Sequence, residues 1–342
     1  MEMEQPEAPA SVRPPSVSQL LQPRAKRTRW LRFSWLFGVL ILAALVSVVL
    51  QYTDIEQFGR LIKAANPEWL LLAGVTQAGT YVCAALVWGR TLGRAGYPQT
   101  IFSLLRLGVA KLFTDQAMPS GGLSGTLLVV RGLGRRNIPL NVAMAALLVG
   151  LVSFYAAYLT VVIASLGVLW WHHQVNPLFL AGVTAFASFA VLVPAAVLWL
   201  RRWANGNPPR WLTRLPHMAT LLDALSEAPA DLLRSPTLLI ETSALQLAVF
   251  VCDGLTFWLV FRALGQTPDF WIPIVSFVMA SVAASIGPDP IGLGTFEAGA
   301  VGALSLLGMP VATGLAATLV MRGLTFWLPM APGIWLARRE LG

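Results

Sequence analysis

The feature that most constrains this chain is the stretch Gly287-Pro288-Asp289-Pro290-Ile291-Gly292-Leu293-Gly294-Thr295-Phe296-Glu297, which sets helix breakers and two carboxylates between apolar runs. Pro288 and Pro290 remove backbone donors, and Gly292 and Gly294 relax the backbone, so the helix that Trp271 to Ile286 promises cannot continue. The flanking runs are apolar enough for a bilayer. Irregular backbone survives at bilayer depth only where protein or a water-lined cavity satisfies it, and ionisable groups at that depth are candidates for function. The stretch therefore predicts a broken helix inside a membrane, with Asp289 and Glu297 as its first candidate site residues.

The same pattern occurs earlier, in Met118-Pro119-Ser120-Gly121-Gly122-Leu123-Ser124-Gly125-Thr126. Pro119 and Pro290 lie 171 residues apart (290 − 119), and so do Pro139 and Pro310 (310 − 139), which open the next apolar runs. One offset fits both pairs, which predicts an internal repeat with units of roughly 68–170 and 239–341. Pro119, Gly121, Gly122 and Gly125 in the first loop, like Pro288, Pro290, Gly292 and Gly294 in the second, are expected to form the turns.

With 56% hydrophobic and 12% charged residues and a mean hydropathy of +0.67, the chain is an integral membrane protein rather than a soluble domain. Runs near twenty residues without strand alternation predict helices. The net charge of +8 could suggest nucleic acid, but the basic residues flank apolar runs, as membrane orientation requires, and no nucleic-acid partner is expected. Cys83 and Cys252 fall inside apolar runs and are expected to be small buried hydrophobes without a disulfide.

Residues 1–29 form a Pro-rich, basic-ended tail, expected to be disordered and cytosolic, and 30–342 form one membrane domain. Phe33 to Leu50 is expected as an uncleaved signal anchor, and 55–62 as an interfacial helix on the outer face. Crossings are then expected at Trp69–Trp88, Pro139–Trp170, Phe179–Leu200, Leu238–Phe261 and Val311–Leu336. Within 203–236, Trp211, Leu215, Met218, Leu222 and Leu225 predict an amphipathic helix on the cytoplasmic surface. Positive flanks place both termini in the cytosol, and the second unit starts on the opposite side from the first. The expected fold is all-α: a polytopic helical bundle with an inverted repeat and two re-entrant broken-helix pairs, the first opening inside and the second outside. Inverted repeats with broken helices are the architecture of alternating-access transporters.

Pro290-Ile291-Gly292-Leu293-Gly294-Thr295-Phe296-Glu297, followed by Arg322-Gly323-Leu324-Thr325-Phe326-Trp327-Leu328-Pro329, resembles the closing signature of the flippase-like, lysylphosphatidylglycerol-synthase transmembrane family. The resemblance covers nearly the whole chain after residue 30. It implies a lipid-handling protein of the bacterial inner membrane, akin to flippase domains and hopanoid-associated membrane proteins. Two departures stand out. Gly292-Leu293-Gly294 replaces the family's adjacent glycines, and Thr126, at the position matching Glu297, replaces a frequent acidic residue, so a symmetric two-carboxylate mechanism is not implied. Synthase members carry a soluble catalytic domain after the membrane region, and because the sequence ends at Gly342 no aminoacyl transfer is expected.

Candidate substrate-binding or coupling residues are Glu297, Asp289, Arg322, Asp115, Lys111 and Arg131. Asp289 can equally be a turn residue, and a carboxylate beside the return helix can simply cap it. Glu297 is expected one or more turns into that helix. Lys111 and Asp115, four apart, form either a structural pair or a headgroup site. Arg106 is expected to snorkel. Arg322, mid-run in the last crossing, needs a partner such as Glu297, Asp253 or Glu241. His172 and His173 fit an interfacial belt with Trp170 and Trp171 better than a metal site, and no metal or cofactor is expected. No hydrolase elbow, zinc motif or phosphate-binding glycine loop occurs, so neither an enzyme nor an ATP-driven pump is expected. Two functions fit: a lipid transporter, or a non-transporting membrane partner of a lipid-modifying or glycosyltransferase enzyme. Hopanoid, aminoacylated phospholipid and polyprenyl-linked sugar all remain open as the lipid.

Overall fold

The computed structural model describes residues 63–117, 123–204, 229–286 and 294–341, and among these every regular element is helical. In order they are α1 (Pro67–Arg94), α2 (Ile101–Ala117), α3 (Leu123–Gly134), α4 (Leu140–Trp171), α5 (Pro177–Ala204), α6 (Ala230–Arg234), α7 (Pro236–Ala263), α8 (Trp271–Ile286), α9 (Thr295–Leu306), α10 (Val311–Arg322), a π-helical turn (Gly323–Trp327) and α11 (Leu328–Leu341). Five stretches are long and apolar enough to cross a membrane: α1, α4, Pro177–Ala196 of α5, α7, and the continuous run Val311–Glu340. They correspond to five of the six expected crossings. The sixth, at 33–50, lies outside the described residues, as do the tail, the outer interfacial helix, and the amphipathic positions from Trp211 to Leu225. The last crossing differs from the expected plain helix, because a π turn interrupts it.

The remaining helices are too short to span. At 12 residues each, α3 and α9 measure about 18 Å, against about 30 Å of hydrocarbon. Each folds back on the helix before it, α3 on α2 and α9 on α8. The α8–α9 packing is close because Gly299 has no side chain: a Cβ there would stand 2.8 Å from Ala283 Cβ. These pairs occupy the positions of the expected broken-helix pairs, and the loops between their helices, residues 118–122 and 287–293, lie outside the described residues. Pro119, Gly121, Gly122, Pro288, Asp289, Pro290 and Gly292 fall in them.

Local geometry repeats along the chain. Helices α1 and α7 have the same length, 28 residues, and both carry Pro at the first helical position behind a capping side chain, Asn66 or Ser235. Both end in the same double hydrogen-bonded turn. In α1, Gly96 N donates to Gly93 O and Tyr97 N to Leu92 O; in α7, Gly265 N donates to Arg262 O and Gln266 N to Phe261 O. Gly96 and Gly265 hold the left-handed conformation this turn demands, at φ 84° and 72°. A second copy of the turn follows α3 and α9. Asn137 N donates to Gly134 O and Ile138 N to Leu133 O, while Gly308 N donates to Ser305 O and Met309 N to Leu304 O, 171 residues on (308 − 137).

Helices α1 and α7 run in opposite directions. Helices α1 and α7 form the most extensive helix contact, joined mid-length by Thr76 Oγ1 and Thr256 Oγ1 at 2.8 Å. At one end of this pair Asn66 N donates to Ala263 O, and at the other Arg94 reaches Glu241 at 2.8 Å. The start of α7 therefore meets the end of α1. Likewise Arg136, just before α4, holds Glu340 near the end of α11 at 2.7 Å, so α4 starts where the Val311–Glu340 run stops. That end of the bundle carries Arg94, Arg135, Arg136 and Arg339, whereas the other carries Arg262, which lies over Trp69 and Trp258.

Candidate functional site

The second broken-helix pair brings an acid and a base together. Gly294 begins α9 at φ 91°, a conformation costly for any residue with a Cβ. Three residues later Glu297 turns back, and its Oε2 accepts the Gly294 backbone N–H at 2.6 Å. Its Oε1 accepts from Arg322 Nε at 2.8 Å. Glu297 thus sits in the first turn of α9, not one or more turns inside it as expected, because its carboxylate is the cap of that helix. Both alternatives offered by the sequence hold at once: the side chain caps the helix and pairs with Arg322. Of the partner options, Glu241 is taken by Arg94, and Asp253 accepts instead from Gln77 Nε2 at 3.2 Å.

Only 2% of the Glu297 side chain is exposed and 15% of that of Arg322. At such burial neither charge can stand alone, so each requires the other. The guanidinium also lies against two rings, its Cζ 4.4 Å from the centre of Phe296 and 5.6 Å from that of Phe326. Phe296 precedes Glu297 and Phe326 follows Arg322 by one turn, so the residues that supply the charges also supply their apolar cover.

The π turn directly follows Arg322. Pro329 offers no N–H to the carbonyl of Thr325 and its ring crowds that oxygen, so an α-helix cannot run through unchanged. The ladder widens, and Leu328 N donates to Gly323 O across five residues. The widened turn puts Thr325 on the wall of a cavity.

That cavity, of about 290 Å³, reaches from Arg322 and Phe296 to the α1–α7 interface, where Gln77, Tyr81 and Asp253 line it. Gln77 is 5% exposed. Its Nε2 donates to Thr80 Oγ1 at 3.0 Å as well as to Asp253, while its Oε1 and the Tyr81 hydroxyl are buried without a hydrogen-bond partner among the described residues. Unpaired buried polar atoms are costly and invite a ligand or water. Gln77, Thr80 and Tyr81 were not among the expected site residues. The signal for them was a glutamine and a tyrosine one turn apart in the middle of an otherwise apolar crossing.

The first pair is built differently. Asp115, on α2, accepts the Gly125 backbone N–H at 2.9 Å and Lys111 Nζ at 2.6 Å. Gly125, expected in the loop, lies instead in the first turn of α3, where a Cβ would collide with the Asp115 carboxylate. The Lys111 and Asp115 side chains stay 31% and 20% exposed. Arg131 belongs to neither pair: it lines a second cavity, of about 530 Å³, with Arg135 and Glu340. The candidates therefore separate into three places, Glu297 with Arg322, Asp115 with Lys111, and Arg131 alone. Asp289 lies outside the described residues.

Other expectations resolve simply. Arg106 is exposed, as snorkelling requires. His172 stacks on Trp271 with ring centres 4.2 Å apart, an aromatic role. Cys83 and Cys252 are free thiols, half-buried rather than buried, since both helices that carry them also face lipid or the cavity.

The family model for the lysylphosphatidylglycerol synthase transmembrane region matches residues 35–333. The chain belongs to this family. No curated protein matches it. The match spans all the described helices up to the last turns of α11, and both the Glu297–Arg322 pair and the π turn fall inside it. Membership in this transmembrane-region family and five membrane-length helices make the chain a multi-pass membrane protein. The family's name associates it with lipid handling.

Proposed function

We propose that this chain carries a lipid, or the headgroup of a lipid, between the leaflets of the bacterial inner membrane by alternating access. The observation that supports this most is the buried Glu297–Arg322 pair, whose guanidinium lies on the wall of a cavity also lined by Gln77, Tyr81 and Asp253. A membrane scaffold has no need of a buried ion pair beside a cavity that carries Gln77, Tyr81 and Asp253 among apolar residues, whereas a carrier needs a site that exchanges partners. In this reading the two broken-helix pairs open on opposite sides, as the antiparallel placement of α1 and α7 suggests, and both termini lie in the cytosol with the basic end of the bundle.

The chemistry of the wall narrows the cargo. On the wall itself the Asp253 carboxylate and the Gln77 carbonyl accept hydrogen bonds, while the Arg322 guanidinium, backed by Glu297, matches a phosphate. A headgroup with an amine or hydroxyl donor beside a phosphate satisfies both. When such a headgroup enters, its phosphate competes with Glu297 for Arg322 and its donors compete with Arg322 for Glu297. The pair opens without leaving either charge bare, and α9 is released from α10. The energy source is then an ion gradient or the gradient of the lipid itself.

The test is lipid movement in proteoliposomes, with a tail-labelled phosphatidylethanolamine whose outer-leaflet fluorescence is quenched. The double variant Glu297→Gln with Arg322→Met removes both charges and leaves neither stranded, so it is expected to fold and to lose movement. A folded double variant that moves lipid at the wild-type rate would make the pair structural only.

A further inference from the structure

We propose that the cavity between the end of α3 and the end of α11 binds the phosphate of an anionic phospholipid, at a site separate from the transport cavity. It holds about 530 Å³ and is lined, among the described residues, by Arg131, Gly134, Arg135 and Glu340. Among the described residues the one carboxylate on its wall is already engaged, because Arg136 holds both Glu340 oxygens at 2.7 and 2.9 Å. Arg136 itself is fixed further by donating to Gly132 O and to Ser103 Oγ. The wall therefore keeps the positive charge of Arg131 in excess.

The two arginines are held differently. Arg135 Nη1 donates to Arg339 O at 3.1 Å, which fixes its guanidinium at the rim. Arg131 is half-buried and forms no ion pair or hydrogen bond among the described residues. An arginine in the last turn of a helix already complements the helix dipole, but that role needs neither burial nor a cavity. A guanidinium held inside a cavity without an acceptor calls for an anion, and phosphate oxygens match its fork.

Depth in the bilayer selects a lipid as the source. Beside the cavity, α11 exposes Ile334 and Trp335, with Arg339 lying 3.7 Å above the Trp335 ring. An exposed aromatic capped by a cation, one turn before the end of a crossing, marks headgroup level. Basic pockets between helix ends at that level suit anionic headgroups. Gly134 opens the entrance, since a Cβ there would meet no atom within 4 Å.

Native mass spectrometry of the full chain in neutral detergent tests this with added phosphatidylglycerol against phosphatidylcholine. The wild type is expected to retain one phosphatidylglycerol, and Arg131→Gln to weaken that retention by about fivefold or more, the scale of one basic residue at the membrane surface. Arg131→Lys keeps the charge and is expected to keep the lipid. Gly134→Trp blocks the cavity without touching a charge and is expected to lose it. Arg338→Gln with Arg339→Gln removes two neighbouring charges outside the cavity wall and is expected to leave retention intact. Retention by both Arg131→Gln and Gly134→Trp would overturn the proposal, and so would equal loss in the Arg338 and Arg339 control, which would mean diffuse surface charge. Millimolar inorganic phosphate is expected to leave the lipid in place; displacement would assign the cavity to a free anion.

Discussion

The two broken-helix pairs solve one problem with different parts. Each has a 12-residue return helix whose first amides need an acceptor, and each provides a carboxylate paired with a cation. In the first pair the carboxylate is Asp115, on the outgoing helix, and its cation is Lys111, one turn back on the same helix. Nothing in that arrangement depends on another part of the molecule. In the second pair the carboxylate is Glu297, on the return helix itself, and its cation comes from α10, 25 residues on. Breaking the first pair loosens one helix end. Breaking the second uncouples two helices and exposes two buried charges to each other's loss. The contrast suggests that the molecule has one static half-site and one that can switch, and each half can be attacked separately.

The largest effect is expected at the second pair. Arg322→Met alone leaves Glu297 charged and buried, at a cost of about 3–5 kcal/mol. Thermal unfolding in detergent should show this single variant far less stable than wild type, and the double variant Glu297→Gln with Arg322→Met close to it. Equal instability of single and double variants would mean that the charges are not coupled.

Next come the glycines that open the two return helices. Gly294→Ala forces a Cβ into a left-handed conformation, at about 1–2 kcal/mol. Gly125→Ala instead drives a Cβ into the Asp115 carboxylate, a packing cost of about 1–3 kcal/mol. The two can be told apart by adding Asp115→Ala. That change should relieve Gly125→Ala and leave Gly294→Ala unchanged.

The smallest effect belongs to Lys111. Its pair with Asp115 is local and partly exposed, so Lys111→Gln should lower stability by only about 0.3–0.5 kcal/mol. A loss comparable to that of Arg322→Met would erase the distinction between the halves.

The sequence made the helix ends at Ala117 and Ile286 legible because Pro and Gly act locally. It also named both members of the central pair, since a carboxylate and a guanidinium in apolar runs demand partners. Their register was harder to see. Glu297 is three residues from a left-handed glycine, and only the backbone geometry shows that it bonds back to Gly294. The wall formed by Gln77, Thr80 and Tyr81 was missed because uncharged polar residues are common in membrane helices, and their importance depends on α7 placing Asp253 opposite them. The π turn was missed for a related reason: Pro329 marks a disturbance, but whether the helix kinks, ends or widens depends on the packing around it.

The proposed transport cycle rests on opposite orientation of the two halves, and paired labelling addresses it most directly. Pro139 and Pro310 are equivalent by the 171 offset, both exposed and both at the start of a crossing. Single cysteines at each, in a chain with Cys83→Ala and Cys252→Ala, would be probed with a membrane-impermeant thiol reagent in intact cells and in inverted vesicles. Pro139→Cys is expected to react only from the cytoplasmic side and Pro310→Cys only from the outside. Reaction of both from the same side would contradict the inversion, and with it the transport cycle built on it.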